Sequence, residues 1–131
     1  MSEHLPGFVV AVVDDDERVL HSLRNLLESA DYSVRLFTSA RAMLAGTQLS
    51  ALDCLISDIG MPEMDGFELL KTVHAARPDL PVILITGYGT PPSRSAQAKT
   101  GQYRLFRKPF KGEELLAAVR EAQRVRKSAA P

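Results

Sequence analysis

The sequence has a single cysteine, no net charge and no long apolar run. Cys54 lies in the apolar stretch LDCLIS, so an internal disulfide is excluded and the thiol is expected to pack as a small hydrophobic group. No stretch approaches the roughly 20 apolar residues of a membrane span, and the start MSEHLPGF has no basic segment followed by an apolar one. We therefore expect a cytoplasmic protein that does not bind membranes.

The formal net charge of zero argues against direct binding of nucleic acid. Positive charge is concentrated only near the C-terminus, where a solvated helix face explains it more simply than a binding patch. The 131 residues, 45% hydrophobic and 24% charged, suit one globular domain. We expect a single domain over residues 1–131, with its core over about 7–127 and a tail over 128–131.

Apolar segments rich in β-branched residues alternate with segments of helical period. The predicted strands cover residues 8–13, 32–37, 52–57, 81–86 and 103–107. Helices are predicted after Asp15 or Asp16, after Ser39, over 67–76, over 90–101 with a thin apolar stripe, and over 113–127. This alternation predicts an α/β fold, a doubly wound five-stranded parallel sheet with helices on both faces.

Charged and polar side chains stand where several of these strands end. Asp14 and Asp15 follow the first strand and Asp58 follows the third. Thr86 ends the fourth strand, and Lys108 follows the fifth. In a parallel α/β sheet the ligand site lies beyond the carboxyl ends of the strands. These five side chains are therefore expected to meet at one edge of the sheet, although they are distant in sequence.

Three crowded carboxylates require a cation. Two of them ~4 Å apart repel by roughly 1 kcal/mol in water and about 4 kcal/mol at the effective dielectric of a protein surface. Mg²⁺ fits because it prefers hard oxygen ligands, commonly binds one or two carboxylates, and keeps waters that a phosphate oxygen can replace. Calcium would need more ligands, and zinc would need His or Cys at ligand spacing beside the acids.

A divalent cation beside a further carboxylate, a lysine and a hydroxyl suits phosphoryl transfer, where catalysis is largely positioning and charge neutralisation. Asp58 is then the predicted nucleophile, since a carboxylate can accept a phosphoryl group as an acyl phosphate. Lys108 would neutralise one phosphoryl oxygen and Thr86 would hydrogen-bond another. Gly87 would leave the approach open.

Four motifs resemble those of a known family, in the same order along the chain: VVDDDE, SDIGMPEMDG, ITGYG and RKPF. Over nearly its whole length the chain resembles the CheY-like receiver domain of two-component response regulators. The segments ITGYGTPP and KTG make it most similar to FixJ-type receivers. The resemblance implies the strand order 2-1-3-4-5 and phosphorylation of Asp58 by a sensor histidine kinase.

The resemblance also implies the ligands of the ion. Asp14 and Asp15 would organise Mg²⁺. The direct ligands would be Asp15, Asp58 and the backbone carbonyl of Gly60. Asp16 is expected to lie in the first helical turn, favoured there by the helix dipole, and not at the ion.

The phosphoryl group, by the same resemblance, would be bound by Thr86 and Lys108, with a cis peptide bond before Pro109 aiming the lysine. One position departs from the family pattern. Three residues before the lysine, the family usually has an aromatic residue that swings inward on activation. This chain has Leu105 at that position. The segment after Thr86 also lacks the apolar pattern that usually seats the fourth helix. The chemistry is expected to be intact, while the coupling to the output surface is open.

That output surface, formed by helix four, strand five and helix five, would serve a homodimer or a downstream protein. FixJ-type regulators usually carry a helix-turn-helix domain after the receiver, whereas this sequence ends at Pro131. We expect a stand-alone receiver rather than a fragment. Its catalysis would be limited to its own phosphorylation and dephosphorylation.

Two other functions are compatible with these residues. Asp14-x-Asp16 after an apolar strand also resembles haloacid dehalogenase-type phosphatases, in which the first Asp is the nucleophile and the second the acid. That family expects a further acid pair after the lysine, and here only Glu113 and Glu114 follow. The second alternative is an adaptor that binds partners without phosphorylation, motivated by Leu105 and the thin fourth helix.

Overall fold

The structure is a computed structural model that describes residues 7–87 and 103–129. Its strands are β1 (Val9–Val13), β2 (Ser33–Phe37), β3 (Cys54–Asp58), β4 (Val82–Thr86) and β5 (Tyr103–Arg107). Its helices are α1 (Glu17–Ser29), α2 (Ala40–Gly46), α3 (Gly66–Ala76) and a C-terminal helix (Gly112–Ala129), with a 3-10 turn at Leu49–Ala51. The helix predicted over 90–101 lies outside the described residues.

The five strands form one parallel sheet in the order β2-β1-β3-β4-β5, which confirms the predicted fold class and strand order. Chain order reverses between β1 and β3, because β2 lies on the outer side of β1. Loops on either side of such a reversal diverge and leave a crevice at the carboxyl ends of the strands. The residues that follow β1 and end β3 therefore stand on the two sides of this crevice.

The sheet is covered by helices on both faces. The three central strands are buried at every position, whereas the edge strands β2 and β5 are partly exposed, as expected for a sheet packed on both sides. One face packs against buried side chains of α2 and α3: Ala40, Met43, Leu69, Leu70 and Val73. The other face packs against α1 and the C-terminal helix: Leu20, Leu23, Leu27, Leu115, Ala118 and Val119.

Side-chain caps begin the first three helices. The carboxylate of Asp16 accepts the backbone N–H of Arg18 at 2.9 Å, so Asp16 caps α1. Ser39 caps α2 as predicted, accepting the N–H of Ala42 at 3.0 Å. A capping box begins α3, in which the side chain of Asp65 accepts the backbone N–H of Glu68 and that of Glu68 accepts the N–H of Asp65. These caps fix where each loop at the carboxyl edge of the sheet ends.

The first four strands begin one or two residues later than predicted, and one difference at a strand end concerns the site. β3 runs to Asp58 instead of ending at Ser57, so the acid is the last residue of the strand and not the first of the loop. Asp58 pairs with Ile85 of β4, which fixes its backbone within the sheet. Among the described residues, no helix is long and apolar enough to cross a bilayer.

Candidate functional site

Asp14 and Asp15 come directly after β1. The backbone N–H of Asp14 donates to the carbonyl of Phe37 at 3.1 Å, which continues the pairing of β1 with β2 for one more residue. The Asp14 carboxylate turns back into the protein, where its Oδ1 accepts the N–H of Asp16 at 2.9 Å. Asp14 is buried and Asp15 is exposed. The pair therefore presents one inner and one outer carboxylate at the crevice.

Three carboxylates converge at the crevice, those of Asp14, Asp15 and Asp58. Each offers one oxygen, and these oxygens lie within 4.8 Å of one another. In residues 7–87 and 103–129 no other group of three acidic, histidine or cysteine side chains is arranged in this way. The predicted convergence of acids from β1 and β3 is therefore present in the fold.

Lys108 and Thr86 stand on the β4 and β5 side of these acids. The backbone N–H of Lys108 donates to the carbonyl of Thr86 at 2.9 Å, and the Lys108–Pro109 peptide bond is cis. The ammonium Nζ of Lys108 lies 4.0 Å from Oδ2 of Asp14. Thr86 is fully buried, and its hydroxyl donates to the carbonyl of Gly87 at 3.4 Å, a long contact.

Burial makes the charged forms of two of these acids unfavourable. Burial is the main reason that the pKa of Asp14 rises from its ordinary value of 3.8 to about 6; the negative charge of Asp58 also raises it, while the hydrogen bond from Asp16 and the charge of Lys108 lower it. Burial likewise raises the pKa of Asp58, which the ammonium of Lys108 lowers in part. One lysine does not balance three carboxylates, so the site favours an additional cation.

The donor set fits Mg²⁺. All three side chains offer hard carboxylate oxygens within reach of one ion, and among the described residues neither histidine nor cysteine joins the group. The exposed position of Asp15 leaves the outer side of the cluster accessible to solvent. Gly60, predicted to contribute a backbone carbonyl, lies two residues beyond Asp58 in the loop and is exposed. Its role as a ligand stays a prediction.

Gly66, the first residue of α3, was not recognised from the sequence as part of the site. A Cβ at this position would lie 2.6 Å from the backbone oxygen of Asp58 and 2.8 Å from the Cα of Ile59. The backbone N–H of Gly66 also donates to the carbonyl of Ile59 at 2.9 Å. The start of α3 is thus pressed against the backbone that carries Asp58. The signal that could have identified it is the glycine four residues after the proline of SDIGMPEMDG.

We predict that Gly66→Ala destabilises the protein by about 1–3 kcal/mol, the range for forcing an extra carbon against backbone that cannot move aside. The measurement is chemical denaturation followed by circular dichroism. Gly60→Ala is the matched control, because a Cβ at Gly60 would meet no atom within 4 Å. Equal stability of the two variants would contradict the close approach at α3.

Leu105, the predicted switch position, lies in the edge strand β5. Its side chain is 37% exposed, one of two large hydrophobic residues exposed to this extent in the described part of the chain. The aromatic neighbours flank it on opposite faces of the sheet: Tyr103 packs with α3 residue Phe67, and Phe106 packs with Phe110. Both neighbouring rings are thus packed against other aromatic residues, and the switch position itself carries a leucine, as the sequence indicated.

Comparisons with known proteins show which family this chain is similar to. A family model described as the response regulator receiver domain matches residues 10–120. The response regulator protein TodT of Pseudomonas putida is 40% identical over 114 residues, which cover 87% of this chain and 50% of TodT. The transcriptional regulatory protein FixJ of Bradyrhizobium diazoefficiens is 37% identical over 125 residues, 92% of this chain and 61% of FixJ. The chain thus spans between half and about three-fifths of the length of these relatives.

Among solved structures, a response regulator receiver domain protein from Clostridium thermocellum matches with a TM-score of 0.83 at 25% identity. The match covers 94% of this chain and 99% of that protein. The fold is therefore shared over nearly the full length of both proteins.

Proposed function

Because this chain belongs to the receiver-domain family of two-component response regulators, we propose that it accepts a phosphoryl group from a sensor histidine kinase onto Asp58 with Mg²⁺. The observation that carries the proposal is the convergence of three carboxylates within 4.8 Å of one another, with the Lys108 ammonium 4.0 Å from Asp14. Receivers are signalling domains, so the proposed catalysis is confined to the chain's own phosphorylation and dephosphorylation.

In the proposed transfer, one carboxylate oxygen of Asp58 bonds to phosphorus while the bond from phosphorus to the kinase histidine breaks. The electron pair of that bond stays on the imidazole nitrogen, and the product is an acyl phosphate. Lys108 would pair with one phosphoryl oxygen and the hydroxyl of Thr86 would donate to another. Asp58 is only 8% exposed, which limits the access of competing water.

The proposed Mg²⁺ ligands are Asp15, Asp58 and the backbone carbonyl of Gly60, with Asp14 organising the site from the inner side. When bound, the ion would neutralise charge on the phosphoryl oxygens. The carboxylates would hold the ion in place, and burial together with the hydrogen bond from the N–H of Asp16 restrains the side chain of Asp14.

Labelling with acetyl phosphate tests the proposal. The protein is incubated with and without Mg²⁺, and phosphorylation is located by mass spectrometry of peptides. We expect Mg²⁺-dependent phosphate on Asp58. Turnover of small phosphoesters through Asp14 would instead support a phosphatase. The structure gives that alternative little support, because its second acid, Asp16, caps α1 and contacts Arg18.

We predict that Lys108→Ala retains part of the labelling but loses the response of the surrounding structure. Asp58 stays available as the nucleophile, whereas the ammonium that would pull β5 towards the phosphoryl group is absent. Moving a two-state equilibrium from 1:99 to 99:1 takes about 5.5 kcal/mol, and Lys108 is one of two side chains proposed to supply it. Hydrogen exchange of β5 and the C-terminal helix, with and without phosphorylation, measures the response. A full exchange response in the variant would contradict this role.

A phosphorylation-independent adaptor is the second candidate, and the observation that favours it is Leu105. A leucine at 37% exposure has no ring or hydroxyl with which to follow the movement of Thr86. Labelling of Asp58 with no change in oligomeric state or hydrogen exchange would favour the adaptor. A change in either would favour the switch.

The proposed partners are a sensor histidine kinase and, through the output surface, a second copy or a downstream protein. Of that surface, the structure describes β5 and the C-terminal helix, while the predicted fourth helix lies outside the described residues. We propose a cytoplasmic location, as for other response regulators, and no direct binding of nucleic acid by this chain.

A further inference from the structure

Ser57, the residue before Asp58, carries a fully buried hydroxyl in the middle of the sheet. Its cross-strand neighbours are Val13 and Leu84, so it lies in an apolar environment on the face covered by α2 and α3. A hydroxyl in such a place is costly unless it is hydrogen-bonded. Its Oγ donates to the backbone carbonyl of Asp58 at 2.9 Å.

The peptide unit between Asp58 and Ile59 is held from both ends. Its carbonyl accepts the hydroxyl of Ser57, and its N–H donates to the carbonyl of Ile85 in β4 at 2.9 Å. Gly66 closes the remaining side, because only a residue without Cβ fits against this carbonyl. The same N–H also lies close enough to the Asp58 carboxylate to interact with it.

A hydrogen bond to a carbonyl polarises the peptide and strengthens the hydrogen bonds that its N–H makes. The Ser57 hydroxyl therefore polarises the Asp58–Ile59 peptide, whose N–H interacts with the carboxylate of Asp58. Position 57 thus bears on the orientation of that carboxylate without touching the other acids.

We propose that Ser57 is a positioning residue: its hydroxyl fixes the Asp58–Ile59 peptide and thereby orients the Asp58 carboxylate for phosphoryl transfer. The inference rests on the proposed function of Asp58. It assigns Ser57 no contact with the phosphoryl group or the ion. The competing explanation is a serine that only stabilises the strand.

The test compares Ser57→Ala and Ser57→Cys with the wild type. Alanine removes the donor, and cysteine keeps a similar volume with a much weaker donor. With acetyl phosphate and saturating Mg²⁺, at a temperature where circular dichroism shows all proteins folded, we expect both variants to label Asp58 about tenfold more slowly, the scale of one lost hydrogen bond. The amide resonance of Ile59 should shift upfield in both.

Thr72→Ala is the matched control, because Thr72 also donates a side-chain hydroxyl to a backbone carbonyl, that of Glu68 at 3.0 Å, but on the exposed side of α3. It should label at the wild-type rate. Wild-type labelling rates in both Ser57 variants, even with lowered melting temperatures, would overturn the inference and leave the role of Asp58 standing. A wild-type rate in Ser57→Cys alone would show that volume matters and not the hydrogen bond, which also overturns it. Absence of labelling in the wild type would overturn the proposed function together with the inference.

Discussion

Asp58→Asn should abolish Mg²⁺-dependent phosphorylation by acetyl phosphate. The substitution keeps the size of the side chain but replaces the attacking carboxylate oxygen by an amide, which does not form an acyl phosphate. We expect the rate to fall by roughly 10⁴-fold or more, the scale seen when an enzyme loses its nucleophile. Intact-mass spectrometry follows the gain of one phosphoryl group. The fold should be retained, because asparagine fills the same space at the end of β3.

The control for this result is Asp16→Asn, in the same run of acids. Asp16 caps α1 and faces Arg18 instead of the other carboxylates, and asparagine is an equally good cap. This variant should label at the wild-type rate. Undiminished labelling of Asp58→Asn would show that the phosphoryl group is accepted elsewhere and would refute the assignment of the nucleophile.

Most of the fold was predictable because the hydrophobic pattern of each strand and helix depends on local sequence, and strands that alternate with helices favour a parallel sheet. Apolar runs such as VVAVV and VILIT are typical of strands buried on both faces, and the structure confirms them as β1 and β4. Residues at the carboxyl ends of parallel strands lie at the same edge of the sheet. The proximity of Asp14, Asp58 and Lys108 could therefore be predicted from the sequence alone. The strand order came from the resemblance and not from the pattern, since periodicity does not specify which strands are neighbours.

The features that were missed depend on contacts between backbone segments. Gly66 is needed because α3 approaches the carbonyl of Asp58, and the sequence contains no measure of that distance. The sequence pattern does not distinguish Ser57 from other strand residues. Its hydroxyl bonds to the carbonyl of Asp58 because it is buried on an apolar face of the sheet. The exposure of Leu105 likewise depends on which other residues pack against β5, and amino-acid composition does not specify those contacts.

Asp14→Asn should stabilise the metal-free protein at neutral pH by about 1–3 kcal/mol. Burial raises the pKa of Asp14 from 3.8 to about 6 in the folded protein, so the ionised side chain is less favourable there than in the unfolded chain. Each pKa unit corresponds to about 1.4 kcal/mol, which gives a penalty of up to about 3 kcal/mol at pH 7. Asparagine removes the charge and can still accept the N–H of Asp16.

The stability difference between Asp14→Asn and the wild type should depend on pH. Between pH 3.8 and about 6 the folded protein keeps a proton on Asp14 that the unfolded chain has lost, so the stability of the wild type falls as the pH rises through this window. The raised pKa of Asp58 acts in the same direction. The advantage of Asp14→Asn should therefore be largest above pH 6 and vanish below pH 4. Urea denaturation in the presence of a chelator, from pH 4 to pH 8, measures it.

Mg²⁺ should reduce the stability advantage of Asp14→Asn over the wild type. An ion that binds only the folded wild type stabilises it by RT ln(1 + [Mg²⁺]/Kd), and a variant lacking one of the three acids should gain less. The difference between Asp14→Asn and the wild type should therefore shrink as Mg²⁺ is added. A stability advantage of the variant that is independent of both pH and Mg²⁺ would show that Asp14 is not a strained carboxylate of a cation site. The three acids would then have to be explained by packing and capping alone.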